Sequence, residues 1–247
     1  MRVSLNGIVS SDEDREIYEW FGYRAFSPEQ VRQAIRDNPT GEELVLEINS
    51  GGGSVMAGSE MYTVLRNAEG VETRAEIQSL AASAASYLAL GCDVVMISPV
   101  AQMMIHLPRC STHGDRNEHL GSVQLLDTVR ESILNAYELK CKGKTPRTEL
   151  KRMIDASTWL TAQQARDAGL VDGVLYEEEG AEPLPQNVMN AVGAGVRALG
   201  ESGGVPDIVQ LRAEFRRQRE AEPGGGPAAD SQNWQNSALL ELEKNRF

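Results

Sequence analysis

The chain has 247 residues, 41% of them apolar and 24% charged, which is the composition of a water-soluble globular protein with one large domain or a domain plus an appendage. Its 24 Lys and Arg against 36 Asp and Glu leave a net charge of −12, which argues against a general binder of nucleic acid or anionic membrane. The three scattered cysteines, Cys92, Cys110 and Cys141, form neither a zinc spacing nor a disulfide framework. The N-terminal residues lack the apolar segment of a signal peptide, and no run of about 18 apolar residues occurs, so a reducing, cytoplasmic setting is expected.

Residues 3–9 alternate weakly and predict a first strand. Ser27-Pro28-Glu29-Gln30 then opens a helix, with Ser as N-cap and Pro at the first helical position, and Asn38-Pro39-Thr40-Gly41 stops it. Residues 43–49 read as a strand entering the turn SGGGS. A helix follows, with Ala57, Met61, Val64, Leu65 and Ala68 on one face. A weak strand over 74–80 leads into LAASAASYLALG (80–91), a helical stretch dominated by Ala and Ser. Strands over 94–98 and 102–107 come next. A long helix over 118–142 carries a stripe of Val123, Leu126, Val129, Ile133 and Tyr137. Thr145-Pro146 starts a shorter helix, and Thr161-Ala-Gln-Gln164 is a capping box whose helix Gly169 closes. Strand alternating with helix predicts an α/β fold.

Beyond about 177 the sequence turns to Gly, Pro and charge (EEEGAEPLPQ, GESGGVPD, EAEPGGGPAAD), with an Arg-rich helical piece over 206–221. The expected organisation is a folded domain over 1–176 and a tail over 177–247 that is partly helical or disordered.

Three parts of the folded region fit one chemistry. A glycine run between a strand and a helix leaves backbone N–H groups free to face an anion; without the Lys-Ser/Thr ending of a phosphate loop it suits an oxyanion better than a nucleotide. Ser83 lies at a strand-to-helix turn among residues too small to shield it. His106 ends the apolar strand in MMIHLP, while His113 and His119 fall in polar surroundings. Oxyanion donors, nucleophile and general base are the working parts of a serine hydrolase. Each part alone reads as easily as structure: a tight turn, a packed small-residue helix, a histidine at a strand end.

The string INSGGGSVMAG (48–58) resembles the INSPGG turn of the Clp-type serine peptidases. AASAASYLA (81–89) resembles their nucleophile segment, MIHLP (104–108) their histidine motif, and WLTAQQARDAGLVD (159–172) their closing segment. The resemblance covers about residues 3–176. It implies the spiral of β-β-α units shared by the Clp peptidases and the crotonase-like hydratases, with a protruding handle helix over about 118–142. It also implies Ser83 as nucleophile, His106 as base, and the N–H groups of Gly53 and Ala84 as oxyanion hole, with Gly52 shaping the turn. Gly51 replaces the Pro of the family turn, and Ala84 follows the nucleophile where Met is frequent. The family's triad Asp falls at Ser157, so Asp155, two residues earlier, is the expected third member only if the loop shifts.

Within that family the string MIDASTWLTA and the Gly/Pro-rich tail look most like phage head-maturation (prohead) proteases. The implied role is an ATP-independent endopeptidase, located in the host cytoplasm inside an assembling capsid, that cuts scaffold or coat protein and itself. Its implied partners are a polypeptide substrate and copies of itself in a ring stacked through the handle helix, with no nucleic acid, membrane, metal or organic cofactor. The alternatives are an ATP-dependent Clp peptidase subunit and an inactive homologue serving as a structural ring. An acyl-CoA hydratase is disfavoured, because it has no need of a Ser/His pair at these positions.

Overall fold

A computed structural model of the chain describes residues 1–177 and 206–221. An eight-stranded sheet forms its centre. The chain runs β1 (Arg2–Val9), α1 (Asp12–Trp20), β2 (Ala25–Phe26), α2 (Pro28–Asp37), β3 (Leu44–Gly53), α3 (Val55–Arg66) and β4 (Thr73–Ala82). It continues through α4 (Ala84–Leu88), one 3₁₀ turn (Ala89–Gly91), β5 (Val94–Ile97), β6 (Gln102–Ile105), α5 (Arg116–Cys141) and α6 (Arg147–Asp155). The last elements are β7 (Thr158–Thr161), α7 (Ala162–Asp167), β8 (Gly173–Val174) and α8 (Ile208–Ala221). The α/β class expected from the alternation is the class observed.

Strands β2, β1, β3, β4, β5 and β8 lie side by side in that order, all parallel. Parallel strands covered by helices are buried on both faces, which is why LVLEI in β3 reads as an almost unbroken apolar run. Strand β4 is shared between two neighbours. Its first half (Arg74–Ile77) pairs with β5, and its second half (Leu80–Ala82) pairs with β6. Strand β7 then closes antiparallel on β6. Leu5, Leu44, Leu46, Ile48, Ile77, Ile97, Met103 and Ile105 from these strands form the buried centre, with Met61 and Leu88 from the helices above.

The predicted strands and helices between 43 and 177 are found with boundaries moved by a few residues, and three differences have clear causes. Residues 80–82 of the Ala/Ser stretch are strand, so α4 begins only at Ala84. Helix α1 was not anticipated, yet it is locally specified. Ser11 N-caps it by accepting from the Asp14 N–H (3.2 Å), and Asp12, Glu13 and Asp14 sit at its positive end. The stripe expected along α5 is only half used: Ile133 and Tyr137 are buried, whereas Val123 is 56% exposed alongside Leu120 and Leu125. The first turns of α5 therefore project from the domain.

Of the expected tail, 178–205 and 222–247 lie outside the described residues. The Arg-rich piece forms α8, which packs on α1. Leu211 joins Tyr18, Phe21 and Ala25 in a second small core. Arg212 donates to both carboxylate oxygens of Asp14 (2.7 and 2.9 Å), Trp20 Nε1 donates to Gln218 (3.1 Å), and the Trp20 and Phe215 rings meet edge to face at 5.3 Å.

Because α8 rests on one small cluster, Leu211→Ala will release it without unfolding the sheet. Truncating a buried Leu costs about 2–5 kcal/mol, enough to free a 14-residue helix. Hydrogen exchange in this variant is expected to lose protection over 208–221 while β3 and β4 keep theirs; simultaneous loss in both would show that α8 is part of the main folding unit.

Candidate active site

Strand β3 runs on through Gly51 and Gly52 to Gly53, and Ser54 then caps α3 by accepting from the Ala57 N–H (3.3 Å). Gly52 has φ +96°, and a Cβ there would stand 2.6 Å from the Ser83 Cβ and 2.7 Å from the Ala82 carbonyl oxygen. Gly53 has φ +152°, with the Val9 carbonyl oxygen 2.2 Å from any Cβ. Glycine at 52 lets the turn lie directly against residues 82–84, and glycine at 53 lets it lie against Val9 of β1. The Gly52 N–H is held by Ser50 Oγ (3.0 Å), which in turn donates to the Gly7 carbonyl (2.6 Å). A Cβ at Gly51 would meet nothing within 4 Å, so the turn has room for a side chain at this position.

Ser83 stands where β4 stops and α4 begins, at φ 53°, ψ −126°. Its N–H donates to the Met104 carbonyl (2.9 Å). Its carbonyl accepts from the Ser86 N–H (3.0 Å) and from Ser86 Oγ (2.5 Å). Ala84 is the first residue of α4, where a helix leaves its N–H without an internal acceptor. From Ala81 to Leu90, Ser83 alone is not fully buried. The small residues around it serve packing as well as access: α4 lies so close to α3 that a Cβ on Gly58 would come 3.1 Å from the Ala84 Cβ and 2.9 Å from the Tyr87 hydroxyl.

His106 follows the last residue of β6. Because Ala82 pairs with Met104 in the parallel β4–β6 ladder, Ser83 and His106 leave the sheet at the same end. His106 Nε2 lies 2.7 Å from Ser83 Oγ. Burial and the nearby Arg109 guanidinium both lower the imidazole pKa from its ordinary 6.5. The ring is therefore neutral near pH 7. With the proton on Nδ1, Nε2 accepts the Ser83 hydroxyl, the geometry of a nucleophile beside its base.

Ser83, His106, Gly52, Gly53 and Ala84 are thus brought together, while Asp155 is not brought to His106. Asp155 ends α6, and its carboxylate pairs with Arg130 at 3.6 Å. Among the described residues no carboxylate hydrogen-bonds His106. The antiparallel β6–β7 ladder pairs Ile105 with Thr158 and Met104 with Trp159, so its next rung sets residue 157 across from His106. That residue is Ser157, exposed and at φ 51°. His119 bonds Thr112 (2.6 Å) on the surface, away from this constellation. Sequence reading missed Arg109, whose proximity to His106 depends on how the loop after Pro108 folds.

The arrangement suits acyl transfer: a hydroxyl, a neutral base, and a helix-start N–H beside a glycine turn. Among the described residues no group of three or more metal-ligating side chains occurs, and no helix is long and apolar enough to cross a membrane.

Residues 34–178 match the family model described as Clp protease. The chain is similar to the ATP-dependent Clp protease proteolytic subunit 1 of Chlamydia abortus, 33% identical over 145 residues, which are 56% of this chain and 72% of the relative. It is also similar to the ATP-dependent Clp protease proteolytic subunit of Pleurastrum terricola, 30% identical over 140 residues, covering 56% of this chain and 69% of that one.

The electrostatics of His106 are open to direct measurement. Followed by NMR of its ring protons, His106 is expected to titrate below 6.5. Arg109→Ala is expected to move the midpoint upward, since it removes a cation that opposes the imidazolium. An unchanged midpoint would mean that burial alone sets it.

Proposed function

The chain belongs to the Clp protease family, and from that footing we propose that it is a serine-type endopeptidase with Ser83 as nucleophile and His106 as general base. The observation that carries this reading is the 2.7 Å contact between Ser83 Oγ and His106 Nε2 at a strained strand-to-helix turn. Ser83 Oγ attacks the carbonyl carbon of a peptide bond as its proton passes to Nε2. The negative oxygen faces the N–H groups of Ala84 and Gly53, beside the turn that Gly52 shapes. Collapse breaks the C–N bond, and the leaving amine takes the proton from Nε2. Water, deprotonated by the same nitrogen, then attacks the ester, and the departing Ser83 oxygen recovers its proton.

Asp155 enters this scheme only if it leaves Arg130, and position 157 is the better placed of the two. The proposed working unit is a Ser83–His106 pair without a bound carboxylate, with Ser157 at the site where one would act. The imidazolium formed during attack is then less stabilised than in a full triad.

For its setting, we propose an ATP-independent maturation protease of a phage head, acting in the host cytoplasm on scaffold or coat protein and on itself. The string MIDASTWLTA and the Gly/Pro-rich residues past 177 support this, with 1–176 as the peptidase domain and 177–247 as its appendage. The names of the relatives favour a second reading, a peptidase subunit that works with an ATP-driven partner. Either role needs a closed homo-oligomer, and the exposed Leu120 and Val123, one turn apart on α5, offer an apolar face through which rings would stack.

Intact mass after treatment with a fluorophosphonate, without ATP, tests the chemistry. Wild type is expected to gain one adduct and Ser83→Ala none. Adduct on both proteins, or on neither, would sink the assignment. Loss of residues past 177 in wild type alone supports self-processing, whereas peptide turnover that requires an ATPase supports the second reading. A further variant tests position 157. Ser157→Asp is expected to raise the labelling rate about tenfold or more, part of the ~10⁴ that a triad carboxylate supplies. Asp tolerates the positive φ there better than most residues. Asp155→Asn is expected to change the rate little.

A further inference from the structure

The buried half of α5 reaches the back of the nucleophile turn through side-chain hydroxyls. Tyr137, 2% exposed, places its hydroxyl 2.6 Å from Ser86 Oγ. Ser86, fully buried, places the same oxygen 2.5 Å from the Ser83 carbonyl. A serine hydroxyl has one proton. Since Ser86 Oγ donates to the Ser83 carbonyl, Tyr137 is the donor to Ser86. Burial also pushes the Tyr137 phenol far up, so it keeps its proton at every working pH.

The Ser83 carbonyl and the Ala84 N–H are the two ends of one planar peptide unit. Two protons on that carbonyl, from the Ser86 N–H and Ser86 Oγ, draw electron density toward oxygen and make the Ala84 N–H a stronger donor. They also fix the plane of the peptide, and with it the direction of the N–H. We propose that Tyr137 and Ser86 are positioning residues, a hydrogen-bond relay from α5 that orients and polarises the Ser83–Ala84 peptide so that the Ala84 N–H is set for a developing oxyanion. This rests on the peptidase reading above. It adds two residues that touch no substrate: Tyr137, which the sequence pattern assigned to the stripe of the long helix, and Ser86 from the Ala/Ser stretch.

The relay acts on the oxyanion and leaves the general base alone, which separates it from a structural role. Tyr137→Phe removes one oxygen and keeps the ring. It is expected to lower kcat on a peptide substrate roughly three- to tenfold, the effect of one hydrogen bond, with KM and the acid limb of the pH profile unchanged. Affinity for a peptide boronate, whose tetrahedral adduct presents the oxyanion, is expected to fall by the same factor. Ser86→Ala is expected to cost about tenfold or more, and Ser86→Thr, which restores the hydroxyl, to recover most of it. Adding Tyr137→Phe to Ser86→Ala is expected to cost little more, because the relay is already broken.

One readout does not depend on turnover. In protein carrying ¹⁵N-alanine, the Ala84 amide resonance is expected to move upfield in Tyr137→Phe. A stationary Ala84 resonance, or a fall in kcat matched by a rise in KM and a lower Tm, would overturn the relay. A shifted resonance in a protein whose wild type takes no fluorophosphonate would uphold the polarisation and sink the peptidase reading instead.

Discussion

Ser83 occupies a backbone conformation, φ 53° and ψ −126°, that costs an L-residue on the order of 1–3 kcal/mol, so its surroundings must hold it there. The Ser83 N–H needs the Met104 carbonyl, which requires β6 to lie beside the last residues of β4. That position is free only because β5 pairs with the first half of β4 and stops at Ile97. On the other side, Ser83 Cβ and the Ala82 carbonyl fill the space in which a Gly52 side chain would sit. The split of β4 between two neighbours, the glycines of the β3 turn and the hydroxyls behind α4 are parts of one solution to one strained residue.

The same geometry explains a composition that has two causes. Residues 81–86 are all Ala or Ser, which leaves Ser83 reachable, the one residue there that retains exposure. They are small also because α4 is pressed between the sheet and α3, with the Tyr87 hydroxyl donating to the Val55 carbonyl (2.8 Å) and Ala84 against Gly58. Access and close packing ask for the same residues, and composition alone does not separate them.

Around His106 the local field runs opposite to that of a full triad. A neighbouring carboxylate raises an imidazole pKa and stabilises the imidazolium formed during attack. Here burial and Arg109 both lower it. The His106 imidazole stays neutral to lower pH, but its protonated form has less support. Asp155 does not offset this while it pairs with Arg130, and Ser157 carries no charge. In the proposed mechanism the cost falls on the proton-transfer step rather than on the placement of Ser83.

The sequence by itself determined the α/β alternation and most strand and helix positions from 27 to 169, and it singled out Ser83, His106 and the glycine turn, which the fold brings together. These signals are local: hydrophobic period, caps such as Thr161 with Gln164, and glycines where positive φ is required. It did not determine α1, whose charged first turn hides a helix that gains its burial from α8, nearly 200 residues away in sequence. Only the tertiary structure decided where β4 ends inside the Ala/Ser stretch, because that depends on which strand is free to accept the Ser83 N–H. The resemblance already pointed to position 157, and the β6–β7 register sets that residue across from His106; only the tertiary structure tied Asp155 to Arg130 and turned Tyr137 from a stripe residue into the partner of Ser86. Those contacts join residues far apart in the chain, and no local pattern encodes a distance between them.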